Sequence, residues 1–315
     1  MLSAAFSDFM QQVVSGLASG GIYALLALAL VIIHRSTGVI NFAQGEMATL
    51  STYIAWALIP FFADNGLDLV SGGRDDYWTA FVATLAISFL GGIALHRLVI
   101  RPVERGNVLR IVIVTIGLLV AINGFIVWKW GGEPQQLQSP FGVETYDIGG
   151  VIVAAHDLGT IAVALGIVFL LWLLFKYTKV GLALRAAAVN PEEARLVGVR
   201  VSWMLALGWG LAAALGAVAG MLTAPTVGLD PNMMAAVLIY AFAAAVLGGI
   251  DSPLGAVVGG LIIGVLLNML SFASQYGAFD WFTEELRLPM ALLIILIVLL
   301  VRPQGIFGKP EVKRV

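Results

Sequence analysis

Side chains able to act on a ligand or a partner are few in this chain, and they fall into two groups. The first is the polar stretch Gly181 to Ser202, GLALRAAAVNPEEARLVGVRVS, set between long apolar blocks. Within it Asn190-Pro191-Glu192-Glu193 reads as a helix start. Asn caps the first free amides, Pro suits the first helical position, and two Glu face the positive end of the helix dipole. Gly198 offers a stop about two turns later. The second group is Asn41, Gln44 and Glu46 at the start of an apolar run, with Asn123, Asn268 and Gln275 isolated in other runs. Neither group is a catalytic constellation. The chain has no Cys, which removes disulfides, thiolate nucleophiles and cysteine metal sites together. His34, His96 and His156 lie far apart near the ends of apolar runs and read as interfacial or loop residues, not converging metal ligands. No apolar run carries paired Asp, so an intramembrane enzyme lacks its nucleophile and base.

These residues are carried by a chain that is 60% hydrophobic and only 11% charged, against about 25% charged in ordinary soluble domains. Nine apolar runs are legible, near 11–33, 44–62, 78–98, 109–130, 158–176, 202–224, 233–249, 253–274 and 288–302. Each is continuous, which excludes the alternating pattern of a β-barrel. The predicted fold is an all-α polytopic membrane protein of nine helices, within a range of 8–10, forming a single transmembrane domain over 1–315 with 181–202 as a loop inside it. The second, seventh and ninth runs are short for a bilayer core that needs about 20 residues and are candidates for broken or re-entrant spans. Residues 1–10 read as an interfacial lead-in. The first basic residue, Arg35, follows the first run, so the positive n-region of a signal peptide is missing. A net charge of −2 without a basic cluster gives no nucleic-acid surface.

Orientation follows from Lys and Arg. With the N-terminus outside and the C-terminus inside, inner segments hold 14 of the 17 basic residues and only Arg74, Lys129 and Arg287 lie outside. Acidic residues run the other way, with Asp64, Asp68, Asp75, Asp76, Glu133, Glu144, Asp147, Asp230, Asp280, Glu284 and Glu285 outside. The stretch 181–202 then faces the cytoplasm.

Glycine is abundant, and Gly16/Gly20, Gly216/Gly220, Gly255/Gly259 and Gly260/Gly264 each form a face of two small residues four apart. Such faces let helix backbones approach closely in a membrane. They read as internal packing, with a subunit interface as the alternative.

The sequence disfavours ion coupling and carries no nucleotide motif of its own. Apart from Glu46 the runs hold no mid-span ionisable group of the kind ion-coupled carriers use. No G-x-x-x-x-G-K-[ST] is present; Gly308-Lys309-Pro310 has Pro where a hydroxyl is needed, and Gly305 is at the wrong spacing. If ATP drives the process, a separate subunit binds ATP and Mg²⁺. A helix from Pro191 would set Glu193, Leu196 and Val197 on one face. That face either fills a groove on such a subunit, rimmed by Glu192, Arg195 and Arg200, or lies in the lipid headgroup zone.

Four stretches in order resemble the permeases of branched-chain amino acid ABC importers, closer to their H type than to the longer M type. They are GVINFAQGEMATLSTY at 38–53, the stretch 181–202 with Gly181, Ala183, Arg185, Ala186, Asn190, Glu193, Ala194, Gly198 and Val199, then AVLGGIDSPLGAVVGGLIIGVL at 245–266, and RPQGIFG at 302–308. The resemblance implies a type II-like importer fold in a bacterial or archaeal cytoplasmic (inner) membrane. It implies a second permease, M-type or an identical copy, around one path, two cytoplasmic ATPases that supply the ATP and Mg²⁺ chemistry, and an extracytoplasmic substrate-binding protein.

It also implies an ATPase-coupling helix made of Asn190, Pro191, Glu192, Glu193, Ala194, Leu196, Val197 and Gly198. Asn41, Gln44 and Glu46 match a family motif in which His is common where Gln44 stands; they either shape the path or inner gate, or cap a helix start at the membrane edge. Gly248, Gly249, Gly255, Gly259 and Gly260 match another motif and read as packing glycines near a short or broken span, with contact with the path as the alternative; Gly216, Gly220 and Gly264 read as packing glycines. The loops 62–77 and 131–157 exceed the family pattern, either as contacts for the binding protein or as solvated acidic loops. Urea, amides and aromatic acids are alternative substrates within the same family. A stand-alone channel or ion-coupled carrier is the alternative outside it.

Overall fold

A computed structural model describes residues 2–65, 76–104, 108–275 and 283–308. Most of the acidic loop 62–77, with Asp68, Arg74 and Asp75, lies outside the described residues, as do Arg105, Asp280 and the tail basic residues Lys309, Lys313 and Arg314. The helices are α1 (Leu2–Thr37), α2 (Gln44–Asn65), α3 (Asp76–Leu95) with a π-helical turn at His96–Ile100, α4 (Val108–Trp130), α5 (Ala155–Tyr177), α6 (Lys179–Val189), α7 (Pro191–Leu196), α8 (Val201–Val227), α9 (Met234–Gly248), α10 (Pro253–Gln275) and α11 (Arg287–Val301).

Among the described residues, α1 to α5, α8 and α10 are the seven helices long and apolar enough to cross a membrane. The chain is therefore a multi-pass helical membrane protein. The seventh and ninth runs are short as expected: α9 and α11 have 15 residues each. The second is not, because α2 runs 22 residues, through Pro60 to Asn65. Residues 2–10 are no separate lead-in; they continue α1.

The all-α expectation fails in one place. Within 131–157, β1 (Thr145–Ile148) and β2 (Val151–Ala154) pair antiparallel with Ile148 opposite Val151. Gly149 and Gly150 both take positive φ, the conformation a two-residue hairpin turn demands, and Asp147 Oδ1 accepts from the Gly150 amide at 2.7 Å. The signal was the Gly-Gly pair between two β-prone runs.

The described chain divides into two compact units, each built from non-contiguous segments. One comprises 1–31, 141–168 and 236–315; the other comprises 32–140 and 169–235. In the first, α1 and α10 cross through two facing glycine pairs. A Cβ on Gly20 would sit 2.9 Å from the Gly260 carbonyl oxygen, one on Gly16 would sit 2.8 Å from the Val265 Cα, and Gly260 and Gly264 in turn face the backbones of Ala24 and Gly20. On the neighbouring face of α10, Gly255 lies against the Gly248 carbonyl and Gly259 against the Ala244 carbonyl, so α9 is held as closely. The RPQGIFG motif docks here too. Ile306 and Phe307 donate backbone hydrogen bonds to the carbonyls of Leu247 and Gly248, at 2.8 and 3.0 Å. Gly249, at φ +107°, leaves room for Gln304 and Gly308; a Cβ there would meet the Gly308 nitrogen at 2.8 Å.

In the second unit α2, α3 and α8 pack against one another. Gly216 and Gly220 face Gln44, Ala48 and Thr52 of α2, while Gly210 faces the Phe89 carbonyl of α3. The small-residue faces are thus occupied within the chain.

Replacing Gly260 by Ala therefore forces α1 and α10 apart and lowers stability by about 1–3 kcal/mol, the usual cost of overpacking. Gly117 of α4, with nothing within 4 Å of its Cβ position, gains up to about 1 kcal/mol of helix propensity as Ala. Thermal unfolding of both variants in one detergent checks the pair; equal melting temperatures would contradict the crossing.

Candidate functional site

The Asn41–Glu46 motif is built from the end of α1. Gly38 takes φ +70° and donates to the His34 carbonyl at 2.7 Å, which stops α1. An irregular stretch follows. Asn41 Oδ1 accepts from the Ala43 amide at 3.1 Å, and its Nδ2 donates to Gln44 Oε1 at 3.2 Å. Gln44 Nε2 then donates to the Ala212 carbonyl at 2.8 Å. Ala212 lies close to the middle of the 27-residue α8.

That bond fixes where α2 begins along α8. The start of α2 lies level with the middle of a spanning helix. An apolar run shows where hydropathy begins, not how deep it begins, and irregular backbone is tolerated at membrane depth where protein surrounds it. Asn41 and Gln44 are fully buried and Glu46 is 7% exposed.

Glu46 meets residues that the sequence did not join to it. Asn123, on α4, points its amide nitrogen at Glu46 Oε2 (3.3 Å), the Pro231 carbonyl (3.2 Å) and Asn232 Oδ1 (3.1 Å). Pro231 and Asn232 belong to the turn between α8 and α9, shaped by Asp230, whose Oδ1 accepts from the Asn232 amide at 2.8 Å. The sequence offered only the signal that Asn123 is a lone amide in an apolar run. Asn268, another such amide, turns back to the Gly264 carbonyl of its own helix at 3.0 Å.

The stretch 181–202 is more ordered than a loop. Thr178 caps α6 by accepting from the Gly181 amide at 2.9 Å. Asn190 ends α6 and starts α7, its Oδ1 accepting from the Glu192 and Glu193 amides at 3.2 Å each. Pro191 is the first residue of α7. Gly198, at φ +85°, closes it: its amide bonds the Arg195 carbonyl and the Val199 amide bonds that of Ala194. The sequence missed α6 because its charges drew attention from its Ala-rich helical composition.

Ala187 of α6, Ala194 of α7 and Val201 of α8 form a small buried cluster, with Ala186, Val199, Met204 and Leu205 against it. Ala194 therefore anchors the helix and is not available to a partner. Glu192, Glu193, Arg195 and Gly198 are exposed. Leu196 is 86%, Val197 79% and Val189 76% exposed, so the apolar residues here face outward. At the base of α8 the Arg97 guanidinium lies 4.1 Å over the Trp203 ring, fastening the turn after α3. His96 in that turn is fully buried, beside Trp209 and 3.4 Å from Glu104, and is not the interfacial or loop residue expected.

Comparison with known proteins agrees with the whole length of this architecture. The family profile described as "Branched-chain amino acid transport system / permease component" matches residues 12–301. The chain is 33% identical over 312 residues to the high-affinity branched-chain amino acid transport system permease protein BraD of Pseudomonas aeruginosa, covering 98% of each chain. It is 31% identical over 324 residues to the corresponding protein LivH of Escherichia coli, covering 100% of each. It is also 24% identical over 266 residues to the ribose import permease protein RbsC of Escherichia coli, covering 80% of this chain and 76% of that protein.

Removing the cap with Asn190→Ala loosens α7 by about 1 kcal/mol, roughly fivefold in local opening, whereas Asn190→Asp retains the acceptor. Hydrogen exchange at the amides of 192–197 reads this: faster in the Ala variant, unchanged in the Asp variant. Identical exchange in all three would contradict the cap.

Proposed function

This chain belongs to the branched-chain amino acid transport system permease family, and from that premise we propose that it is the H-type permease subunit of an ATP-driven importer for branched-chain amino acids. It is a transport subunit, and ATP is bound and hydrolysed with Mg²⁺ by two partner ATPases. It sits in a bacterial or archaeal cytoplasmic membrane, among lipids, N-terminus out and C-terminus in, and spans it with the seven long helices and the two shorter ones. A second permease, M-type or an identical copy, completes the path, and an extracytoplasmic binding protein delivers the substrate.

The observation that carries the coupling assignment is the outward face of α7. Leu196, Val197 and neighbouring Val189 are exposed on a helix fixed from behind through Ala194. An exposed apolar patch rimmed by charge marks an interaction site. Interfacial lipid-bound helices favour Lys and Arg on their polar face; α7 carries Glu192 and Glu193 against Arg195, so a protein groove fits better than anionic headgroups. The bias of 14 of 17 Lys and Arg to one side supports a cytoplasmic position for this face.

Because the patch is exposed and its anchor is separate, Leu196→Glu with Val197→Glu leaves the permease's thermal stability unchanged. The variant retains at least roughly tenfold less ATPase when the permease is captured from membranes, as expected for loss of a central apolar anchor. Undiminished ATPase recovery would remove α7 from the coupling role.

A further inference from the structure

Asn123 is oversubscribed. An amide nitrogen carries two hydrogens, yet three oxygens from two separate parts of the chain, α2 and the turn before α9, surround this one at 3.1–3.3 Å: Glu46 Oε2, the Pro231 carbonyl and Asn232 Oδ1. Reversing the amide would point its oxygen at the Glu46 carboxylate and the Pro231 carbonyl, two groups that only accept, so the nitrogen is assigned to this side. Three acceptors converging on one nitrogen suit a group with three N–H donors, a primary ammonium.

The charge balance leads to the same ligand. Glu46 is 7% exposed, and the buried polar residues near it in sequence, Asn41, Gln44 and Thr49, are all uncharged. Its described hydrogen-bond partner is the neutral Asn123 amide, and among the described residues no Lys, Arg or His lies within ion-pair distance of it. A buried carboxylate without a counter-charge is costly, and in a membrane it marks a functional position. Asn232 is exposed and Asn123 partly exposed, so the cluster is reachable from outside the protein.

The geometry points to a binding site for a primary ammonium group, formed by Glu46, the Pro231 carbonyl and Asn232, with the Asn123 amide holding the place when the site is empty. This deepens the import proposal by naming the part of the substrate that the path recognises: the ammonium of an amino acid, which urea, neutral amides and aromatic acids lack. Side-chain size is left unspecified by the site.

The test is binding of 3-methylbutylammonium to the purified full-length permease, read by thermal shift, with 3-methylbutanol as the uncharged control. The wild type is stabilised by the ammonium and not by the alcohol. Glu46→Gln keeps the shape and the acceptor for Asn123 but binds the ammonium roughly tenfold or more weakly, as loss of a charge-assisted bond requires. Asn123→Ala removes the competing occupant and binds severalfold more tightly. A structural Glu46–Asn123 bond gives the reverse order, with Glu46→Gln mild and Asn123→Ala destabilising, and that result overturns the site. Equal shifts by amine and alcohol overturn it as well. Leucine uptake by the complete transporter in proteoliposomes separates the two claims. Binding without ATP-dependent leucine uptake leaves the ammonium site standing and sinks the import reading; uptake without ammonium binding does the opposite.

Discussion

Close approach of helix backbones at glycine governs this molecule. Lipid offers helices no hydrophobic reason to associate, so packing and the fit of small residues must hold them together. Gly216 and Gly220 let α2 lie against α8, and the Gly16–Gly20 and Gly260–Gly264 pairs let α1 and α10 interlock. A second small face on α10 holds α9, whose last turn receives the RPQGIFG backbone. A Cβ at Gly20, Gly220, Gly260 or Gly264 would meet facing backbone and separate the helices, whereas one at Gly216 meets only the end of the Gln44 side chain and the Ala48 methyl.

The polar residues depend on that fit. With α2 against Gly216, the Gln44 amide reaches the Ala212 carbonyl, and the start of α2 is fixed beside the middle of α8. Glu46, two residues on, then meets Asn123 of α4, which also reaches the turn after α8. Polar side chains and irregular backbone are tolerated among apolar helices here because protein surrounds them. The stretch 179–200 works differently. Its small cluster at Ala187, Ala194 and Val201 fixes α7 firmly while leaving Leu196 and Val197 outward. A helix anchored on one face and apolar on the other is suited to transmit a push as a rigid body.

Local chemistry was legible in the sequence. The run at 109–130 is α4 (Val108–Trp130), the run at 253–274 is α10, and Asn190, Pro191 and Gly198 hold the cap, first-turn and stop positions expected of them. What the sequence hid was depth and long-range partnership. Hydropathy marks where α2 begins along the chain but not its level against α8. Glu46, Asn123 and Asn232 come from three distant segments, so spacing carries no sign that they meet. The motifs at 245–266 and 302–308 could be named separately, yet their pairing through Leu247 and Gly248 is a matter of backbone geometry. The Gly149–Gly150 turn, by contrast, carries a hairpin signal in its own residues.

The central claim is that α2 begins beside the middle of α8, held by glycine contact, and so sets its polar motif among the long helices. A Cβ at Gly216 would lie 3.4 Å from that of Ala48, close to the separation a disulfide spans, and the chain has no Cys of its own to confuse the result. Oxidation of the Ala48→Cys, Gly216→Cys protein in membranes, followed by peptide mass analysis, should give the 48–216 disulfide. If α2 instead began level with the start of α8, position 48 would link to a Cys at Ala206 and not at Gly216, and that result would contradict the account.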